Sequence, residues 1–479
     1  MQLRTYQSDA IAEVTACYRA GHRGVLLVIP TGGGKTVVYS EITRALVAAG
    51  VPVLIVEPAV ELVEQTRDKL ARLGVARVGI VAAGWIPPGA VAPANYNPDP
   101  GALVQVATVQ TLRSRPHALL RRPGFIIFDE AHLSAADSYR MIRERYPEAN
   151  RLGVTATPWR LDGEGFEDLA SALVIGPTVR DLQLLGALVD FRTLSIPLTD
   201  FARSKRRPAS EFNLREMAAA YNKNELVGDI VSHYQRHAAD RSGLVFAASV
   251  DHSRELRSAF AANGFAVEHL DGQTHKSERA AILRRLELGQ TQIICNFGVL
   301  TAGFDCPRVS AISTARATAS KSLWIQMAGR GMRPCDGKRD CVILDHGGNA
   351  LRHGNLAQPH VYSLVGRDKA AAVDLEDAGD LGQVCPTCAT VIDTAVATCE
   401  FCGHDFAVGA PMRGRRKVRG VDGELVEIDD EAAPFALAPP ESPELRAERR
   451  SRQAGAFLTR QAVTAARDWA DRMAGRRAS

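Results

Sequence analysis

The stretch that decides the fold is Pro30-Thr31-Gly32-Gly33-Gly34-Lys35-Thr36. It follows the apolar run Val25–Ile29 and precedes a stretch with helical periodicity at Lys35–Ala49. A glycine-rich turn between a buried strand and a helix lets backbone N–H groups surround phosphate oxygens. In such a loop Lys35 reaches the β- and γ-phosphates and Thr36 ligates Mg²⁺. The strict pattern has a glycine where this chain has Ile29, but the strand–turn–helix context is the required one.

Two adjacent carboxylates, Asp129 and Glu130, follow another apolar run at Phe125–Phe128. Open α/β sheets bind ligands beyond the carboxyl ends of their strands, where these side chains are expected. Asp129 would hold Mg²⁺ through water, and Glu130 would position and deprotonate the attacking water. With the phosphate loop, the pair predicts hydrolysis of a nucleoside triphosphate.

A third segment, Gln326-Met327-Ala328-Gly329-Arg330-Gly331-Met332-Arg333, places two arginines three residues apart. A guanidinium near the γ-phosphate stabilises the charge that shifts during cleavage. Because this segment lies in a second predicted domain, we expect Arg330 and Arg333 to reach the nucleotide only when the two domains close. Hydrolysis would then move the domains, which predicts a motor.

Length and composition are those of a soluble, globular protein of two domains with additions. The chain has 479 residues, of which 46% are hydrophobic and 23% charged. No apolar run reaches the roughly 18 residues of a membrane span, and the N-terminus lacks a secretory signal, so we expect a cytoplasmic protein. The net charge of +4 suits a polyanionic partner or a uniformly solvated surface equally well.

Short buried strands alternate with helices twice along the chain, which predicts two α/β domains with parallel sheets. We expect the first domain at 1–195 and the second at 215–370, with a less regular bridge over 176–215. The predicted strands are Val25–Ile29, Val53–Val56, Val104–Ala107, Phe125–Phe128, Leu244–Phe246, Ala266–Leu270, Gln292–Cys295, Ala311–Ser313 and Cys341–Leu344.

Four cysteines form two CxxC pairs ten residues apart in a predicted ribbon at 383–408. Four thiolates at this spacing suit tetrahedral Zn²⁺, and they leave no position for water, so the site would be structural. Two chance CxxC pairs or disulfides are the alternative. The ribbon would bind DNA or a protein partner. The four residues are Cys385, Cys388, Cys399 and Cys402.

The last predicted region, 409–479, has an arginine-rich run at Arg413–Lys417 and then an acidic, proline-rich linker over 428–444. A basic helix is expected beyond Pro443. It is either a solvated tail or a contact for nucleic acid or a partner protein.

These motifs together resemble the superfamily-two helicases of the DEAD/DEAH-box type, over residues 3–350. The resemblance includes Asp129-Glu130-Ala131-His132 and Thr155-Ala156-Thr157-Pro158. The second of these segments resembles the motif that couples hydrolysis to domain motion in that family. It implies two tandem RecA-like domains, a cleft that binds ATP and Mg²⁺, and a nucleic-acid path across both domains. Segments 57–66, 106–111, 246–249 and 296–307 resemble motifs that line this path.

The resemblance also assigns nucleotide contacts to individual residues. Gln7 in Leu3-Arg4-Thr5-Tyr6-Gln7 would read the adenine edge, with Tyr6 or Arg4 packing nearby. The backbone from Thr31 to Thr36 would hold the phosphates, and Asp305 in Thr301-Ala302-Gly303-Phe304-Asp305 is the ribose candidate. Gln326, Arg330 and Arg333 match the arginine-finger motif.

Within the superfamily the chain most resembles RadD-type proteins, bacterial DNA-repair ATPases, through Thr155–Leu161, Val245–His252 and Asp345–Asn349. We therefore expect an ATP-dependent DNA helicase or translocase in DNA repair or recombination, acting on single-stranded or branched DNA, with a possible partner protein at the ribbon or tail. The alternatives are an RNA helicase, a motor subunit of a restriction or repair complex, and an ATP-switched clamp that does not unwind.

Overall fold

The structure is a computed structural model that describes residues 3–75, 77–83, 99, 101–114, 121–133, 137–157, 165–195, 224–301, 303–354, 356–357, 362, 364, 383–384, 391–392 and 426–428. These residues form two compact units. The first contains the described residues up to 181, with 362 and 364, and the second contains those from 182 to 357, with 383–384, 391–392 and 426–428.

The first unit, in its described part, is built on a seven-stranded parallel sheet with the spatial order β3-β4-β2-β5-β6-β1-β7. Its strands are β1 (Gly24–Val28), β2 (Val53–Glu57), β3 (Val78–Val81), β4 (Val104–Thr108), β5 (Phe125–Phe128), β6 (Asn150–Thr155) and β7 (Ala172–Ile175). The helices are α1 (Thr5–Arg19), α2 (Lys35–Ala48), α3 (Val60–Arg72), α4 (Val109–Ser114), α5 (Asp137–Arg145) and α6 (Val179–Leu184).

Helices cover both faces of this sheet, so strands such as β1 and β5 consist entirely of apolar residues. Alternate residues of β1 show why: Val25 and Leu27 belong to one core cluster, and Leu26 and Val28 to the cluster on the opposite face. The carboxyl ends of β1 and β5 carry the phosphate loop and the acidic pair.

The second unit repeats the design with a sheet ordered β10-β11-β9-β12-β13-β8-β16. Its strands are β8 (Asp190–Ser195), β9 (Gly243–Ala247), β10 (Val267–Leu270), β11 (Ile293–Asn296), β12 (Ala311–Ala315), β13 (Asp340–Asp345) and β16 (Val426–Ile428). The described helices are α7 (Asn224–Ala238), α8 (Val250–Ala262), α9 (Lys276–Glu287), α10 (Lys321–Gly329) and α11 (Asn349–His353). β16 pairs with β8 in antiparallel orientation, and the other pairs are parallel.

The prediction of an irregular bridge over 176–215 is wrong at Asp190–Ser195, which form β8. This strand pairs with β13 in parallel over its whole length, from Asp190 against Asp340 to Ser195 against Asp345. The pairing joins segments 150 residues apart in the chain, and Asp190, Arg192 and Thr193 interrupt the apolar run by which buried strands are recognised. The second sheet therefore includes a strand that lies upstream of residue 215.

The nine predicted strands and the predicted helix at Lys35–Ala49 are present, with ends shifted by at most two residues. Among the described residues no helix combines the length and apolar character needed to cross a bilayer. In the predicted ribbon range, β14 (Gln383–Val384) pairs with β15 (Val391–Ile392) in antiparallel orientation. The four ribbon cysteines and the predicted basic helix lie outside the described residues.

Candidate active site

The phosphate loop turns from β1 into α2 through two glycines with positive φ, Gly32 at 83° and Gly34 at 84°. The N–H of Gly33 donates to the carbonyl of Pro30 at 3.0 Å and closes the turn. A β-carbon at Gly34 would lie 2.5 Å from Gln7 Nε2, so a side chain there would be both strained and crowded. The open N–H groups of the first turn of α2 suit this cradle to phosphate.

The start of α1 is attached to this loop. Tyr6 donates its hydroxyl to the carbonyl of Gly33 at 3.0 Å, and Gln7 Oε1 accepts from the backbone N–H of Arg4 at 3.0 Å. Gln7 is buried beside Gly34. The predicted adenine segment and the predicted phosphate loop are therefore in contact, and the hydrogen bond of Tyr6 is made to the backbone of the loop.

The acidic pair follows β5 at the same sheet edge. Glu130 has a φ of 47°, which is uncommon for a residue with a side chain. Its N–H donates to Asp129 Oδ1 at 2.9 Å, and its Oε1 lies 3.5 Å from Lys35 Nζ. Burial, followed by the charge of Glu130, raises the pKa of Asp129 to about 6, against the opposing charge of Lys35. The structure thus brings the predicted lysine and both predicted carboxylates together.

His132 connects the acidic pair to the segment after β6. Its Nδ1 lies 3.4 Å from Glu130 Oε2 and 3.3 Å from Thr155 Oγ1. Thr155 in turn donates to the carbonyl of Thr157 at 2.9 Å and accepts from its N–H at 3.0 Å. Burial lowers the pKa of His132, so the neutral ring is favoured. The coupling motif Thr155–Thr157 is in this way linked to the carboxylate proposed as the base.

Three further side chains surround Asp129, and none is among the predicted site residues: Tyr39, Glu57 and Thr66. Tyr39 Oη lies 3.3 Å from Asp129 Oδ2 and 3.2 Å from Glu57 Oε1. The signals in the sequence are weak. Tyr39 lies four residues after Lys35, one helical turn away, and Glu57 is an acid at the end of an apolar strand. Glu57 and Thr66 instead bound the segment expected to line a nucleic-acid path, but both are buried.

The predicted arginine segment lies in the second unit, at the end of α10. Arg330 is buried and donates to the carbonyls of Phe304 at 2.6 Å and Thr301 at 2.5 Å. Arg333 is half-buried and donates to Phe304 O at 3.0 Å and to Asp305 Oδ1 at 2.5 Å. The arginine-finger candidates and the ribose candidate are therefore neighbours, while Gln326 lies on α10 one turn before Arg330.

The residues of the first unit fit a nucleotide with Mg²⁺. Mg²⁺ prefers oxygen ligands and keeps several waters, so one or two protein oxygens and the substrate phosphates complete its shell. Thr36 and Asp129 supply such oxygens beside the phosphate cradle. Within the described ranges no cluster of three or more histidine, cysteine or acidic side chains is arranged as a metal site, and the zinc prediction concerns cysteines outside those ranges.

Two family descriptions match the chain, one in each unit. Residues 1–160 match "Type III restriction enzyme, res subunit". Residues 222–335 match "Helicase conserved C-terminal domain".

Three relatives illustrate the range of similar proteins. A 51.5 kDa protein of a Lactococcus phage is 29% identical over 79% of this chain and 77% of its own. The putative ATP-dependent helicase IRC3 of Saccharomyces cerevisiae is 28% identical over 78% of this chain. The DNA 3'-5' translocase XPB2 of Sulfurisphaera tokodaii is 24% identical over 72% of this chain and 81% of its own. The match covers 55% of the length of the yeast protein.

A solved structure supports the fold. The fragment of a putative HsdR subunit of a type I restriction enzyme from Vibrio vulnificus covers 75% of this chain and 68% of its own, with a TM-score of 0.57 and 21% sequence identity. At that identity the similarity concerns the two-domain α/β architecture alone.

Proposed function

Because the chain belongs to the superfamily-two helicases of the DEAD/DEAH-box type and is a nucleic-acid-dependent ATPase, we propose that it couples ATP hydrolysis to movement on DNA, as a helicase or translocase. The observation that carries the proposal is the contact of Lys35, Asp129 and Glu130 at one sheet edge beside the phosphate cradle. DNA is favoured over RNA because the archaeal relative is named a DNA translocase.

The hydrolytic step is assigned to Glu130, which orients the attacking water and accepts its proton. Lys35 lies 3.5 Å from this carboxylate. Phosphates entering the cradle would compete for the lysine, so that Lys35 turns to the β- and γ-phosphates and Glu130 turns to the water. Bound Mg²⁺, held by Thr36 and Asp129, would neutralise charge on the phosphates.

The second unit is assigned the stabilisation of the charge that develops on the phosphates in the transition state. Arg333 carries the arginine-finger role, since one of its two partners is the exposed carboxylate of Asp305, which a phosphate can replace, whereas both partners of Arg330 are backbone carbonyls. Arg330 and Gln326 complete the segment. Arg4 and Gln7 are assigned to the adenine, and Asp305 to the ribose.

The experiment that tests this function is the ATPase rate with single-stranded, duplex and forked DNA and with RNA of matched length. The proposal expects DNA to raise the rate more than RNA, with an affinity that falls steeply as salt increases. A rate stimulated by RNA and not by DNA would replace it with the RNA helicase.

A second candidate is a motor subunit or clamp that works inside a restriction or repair complex. The match of residues 1–160 to a restriction-enzyme subunit favours it. Strand displacement separates the two functions: unwinding of a tailed duplex by the purified chain supports the helicase, and DNA-stimulated ATPase without unwinding supports the subunit or a pure translocase. The repair or recombination setting is proposed from the resemblance to RadD-type proteins.

The ribbon is proposed to hold one structural Zn²⁺ between Cys385, Cys388, Cys399 and Cys402, as their CxxC spacing suits four thiolates. Elemental analysis of the purified chain should give about one zinc per chain. A double Cys385→Ser, Cys402→Ser variant should lose it, and a zinc content that this variant retains would exclude the assignment.

A further inference from the structure

A buried hydrogen-bond network lies behind the proposed Mg²⁺-binding carboxylate. The hydroxyl of Tyr39 is within hydrogen-bonding distance of Thr66 Oγ1 at 3.0 Å, Glu57 Oε1 at 3.2 Å and Asp129 Oδ2 at 3.3 Å. It also has a hydrogen bond with the side chain of Thr36. Thr66 donates its own proton to Glu57 Oε1 at 2.7 Å. The side chains of Tyr39, Glu57, Thr66 and Asp129 are buried, and none of these four is more than 4% exposed.

The number of protons available in this network indicates that the hydroxyl of Tyr39 donates to Asp129. Thr66 uses its proton on Glu57, so that Glu57 Oε1 already has a donor. A tyrosine hydroxyl has one proton, and Asp129 Oδ2 has no other donor among the described contacts, whereas Asp129 Oδ1 accepts from Glu130 N at 2.9 Å. With Tyr39 donating to Asp129, both oxygens of that carboxylate have a hydrogen bond.

A carboxylate held on both oxygens has a fixed plane. The terminal torsion of aspartate is broad in the absence of such contacts, so the backbone of Glu130 and the hydroxyl of Tyr39 together set the orientation of Asp129. A role in packing alone does not explain the polar groups, because phenylalanine at 39 and an apolar residue at 57 would suit a core in which buried polar groups are costly.

We propose that Tyr39, held by Glu57 and Thr66, is a positioning residue that orients the Asp129 carboxylate for its metal-binding role. The inference rests on the proposed assignment of Asp129 to Mg²⁺. Groups that hold a metal-ligating side chain in place commonly change metal affinity or activity by 10–100-fold when they are removed.

The first test is Tyr39→Phe, with two readouts at increasing Mg²⁺ concentration: the ATPase rate at saturating ATP, and the binding of a fluorescent non-hydrolysable ATP analogue. We expect the half-saturating Mg²⁺ concentration to rise by about tenfold or more. The matched control is Tyr139→Phe: Tyr139 is also buried beside these carboxylates, and its hydroxyl has no hydrogen-bond partner among the described residues. An unchanged Mg²⁺ requirement in Tyr39→Phe, or an equal shift in Tyr139→Phe, would overturn the proposal.

The second test separates positioning from packing at Glu57. Glu57→Gln keeps an oxygen that accepts from Thr66, and Glu57→Leu keeps the volume and removes the acceptor. We expect the Gln variant to stay within about threefold of wild type and the Leu variant to require about tenfold more Mg²⁺. A Glu57→Leu variant with the wild-type Mg²⁺ requirement would show that Glu57 is not needed to hold Tyr39. The rates are taken without nucleic acid, so a wild type that hydrolyses ATP but is not stimulated by DNA contradicts the proposed function and leaves this test intact.

Discussion

In the first unit the proposed catalytic side chains of Lys35 and Glu130 are no more than 14% exposed and contact each other, whereas in the second unit Arg333 pairs with an exposed carboxylate. Asp129 is 4% exposed, and it contacts Tyr39 and the backbone of Glu130. The side chain of Asp305, the partner of Arg333, is 60% exposed. The charges of the first unit are therefore held in place by one another, whereas Arg333 in the second unit is held in part by an exposed ion pair.

The difference assigns two kinds of work to the two units. Donors and acceptors held in place before the reaction lower its barrier because they do not have to reorganise. An arginine that must exchange one partner for another instead makes hydrolysis conditional, because a water-exposed ion pair contributes little to stability and is readily replaced. The proposed function therefore assigns nucleotide binding to the first unit and control of the hydrolysis rate to the second.

The largest effect we expect is from Arg333→Ala. An arginine finger raises the hydrolysis rate by about 10³–10⁵-fold, so the nucleic-acid-stimulated kcat should fall by about 10³-fold or more. Arg339→Ala is the control and should retain activity, because Arg339 is an exposed arginine six residues after Arg333 in the sequence. If Arg333→Ala keeps a tenth of the wild-type rate, Arg333 is not the arginine finger, and the proposed difference between the two units is wrong.

Glu130→Gln tests the fixed group of charges. Loss of a general base lowers rates by about 10²–10⁴-fold, and we expect this loss in kcat while a fluorescent ATP analogue still binds. Glu144→Gln, on the exposed side of α5, should behave as wild type. If Glu130→Gln retains its turnover, another group is the general base.

The fold was predictable from local patterns except where pairing is decided at long range. Runs such as Phe125–Phe128 indicate buried strands because both faces of a parallel sheet are covered. β8 and the edge strand β16 have no such run, and each depends on a neighbour far away in the sequence. Local periodicity contains no information about that neighbour.

The site was predictable where its chemistry is compact in sequence. The phosphate loop and the acidic pair are each a few residues long, and their contact follows from the adjacency of strand ends in one sheet. Tyr39, Glu57 and Thr66 meet only in three dimensions, from α2, β2 and α3. The positive φ of Glu130 is likewise a property of the folded turn.

Asp129→Asn should stabilise the protein while it abolishes activity. The pKa of Asp129 is raised from 3.8 to about 6, chiefly by burial, so the folded chain binds its proton more tightly than the unfolded chain does. This costs no stability below the unfolded value of 3.8. The loss of stability grows as the pH rises from there and is complete above about 6, at about 3 kcal/mol. We expect urea unfolding in EDTA to show Asn variant and wild type alike near pH 4 and the variant more stable at pH 7. A wild type that is the more stable at pH 7 contradicts the assignment.

Arg330→Ala should differ from Arg333→Ala in stability. Arg330 is buried and donates to Thr301 O and Phe304 O. Phe304 O keeps the hydrogen bond from Arg333, so Arg330→Ala removes the donor to Thr301 O, at a cost of about 1–3 kcal/mol. Urea unfolding should show this loss for Arg330→Ala, with the slope unchanged, and little change for Arg333→Ala. Equal losses would mean that the two arginines are held alike.

The smallest effect we expect is from Asp305→Asn, and it decides which of two roles the exposed carboxylate has. If Asp305 binds the ribose, the KM for ATP should rise by about 2–10-fold, the value of one hydrogen bond, with kcat unchanged. The loss should shrink with 2'-deoxy-ATP or 3'-deoxy-ATP, whichever lacks the hydroxyl that the carboxylate contacts. If Asp305 instead restrains Arg333, kcat should rise and its salt dependence should weaken, because salt screens an exposed ion pair. We expect the first result, since a group that leaves Arg333 when ATP binds is then free to accept from the ribose.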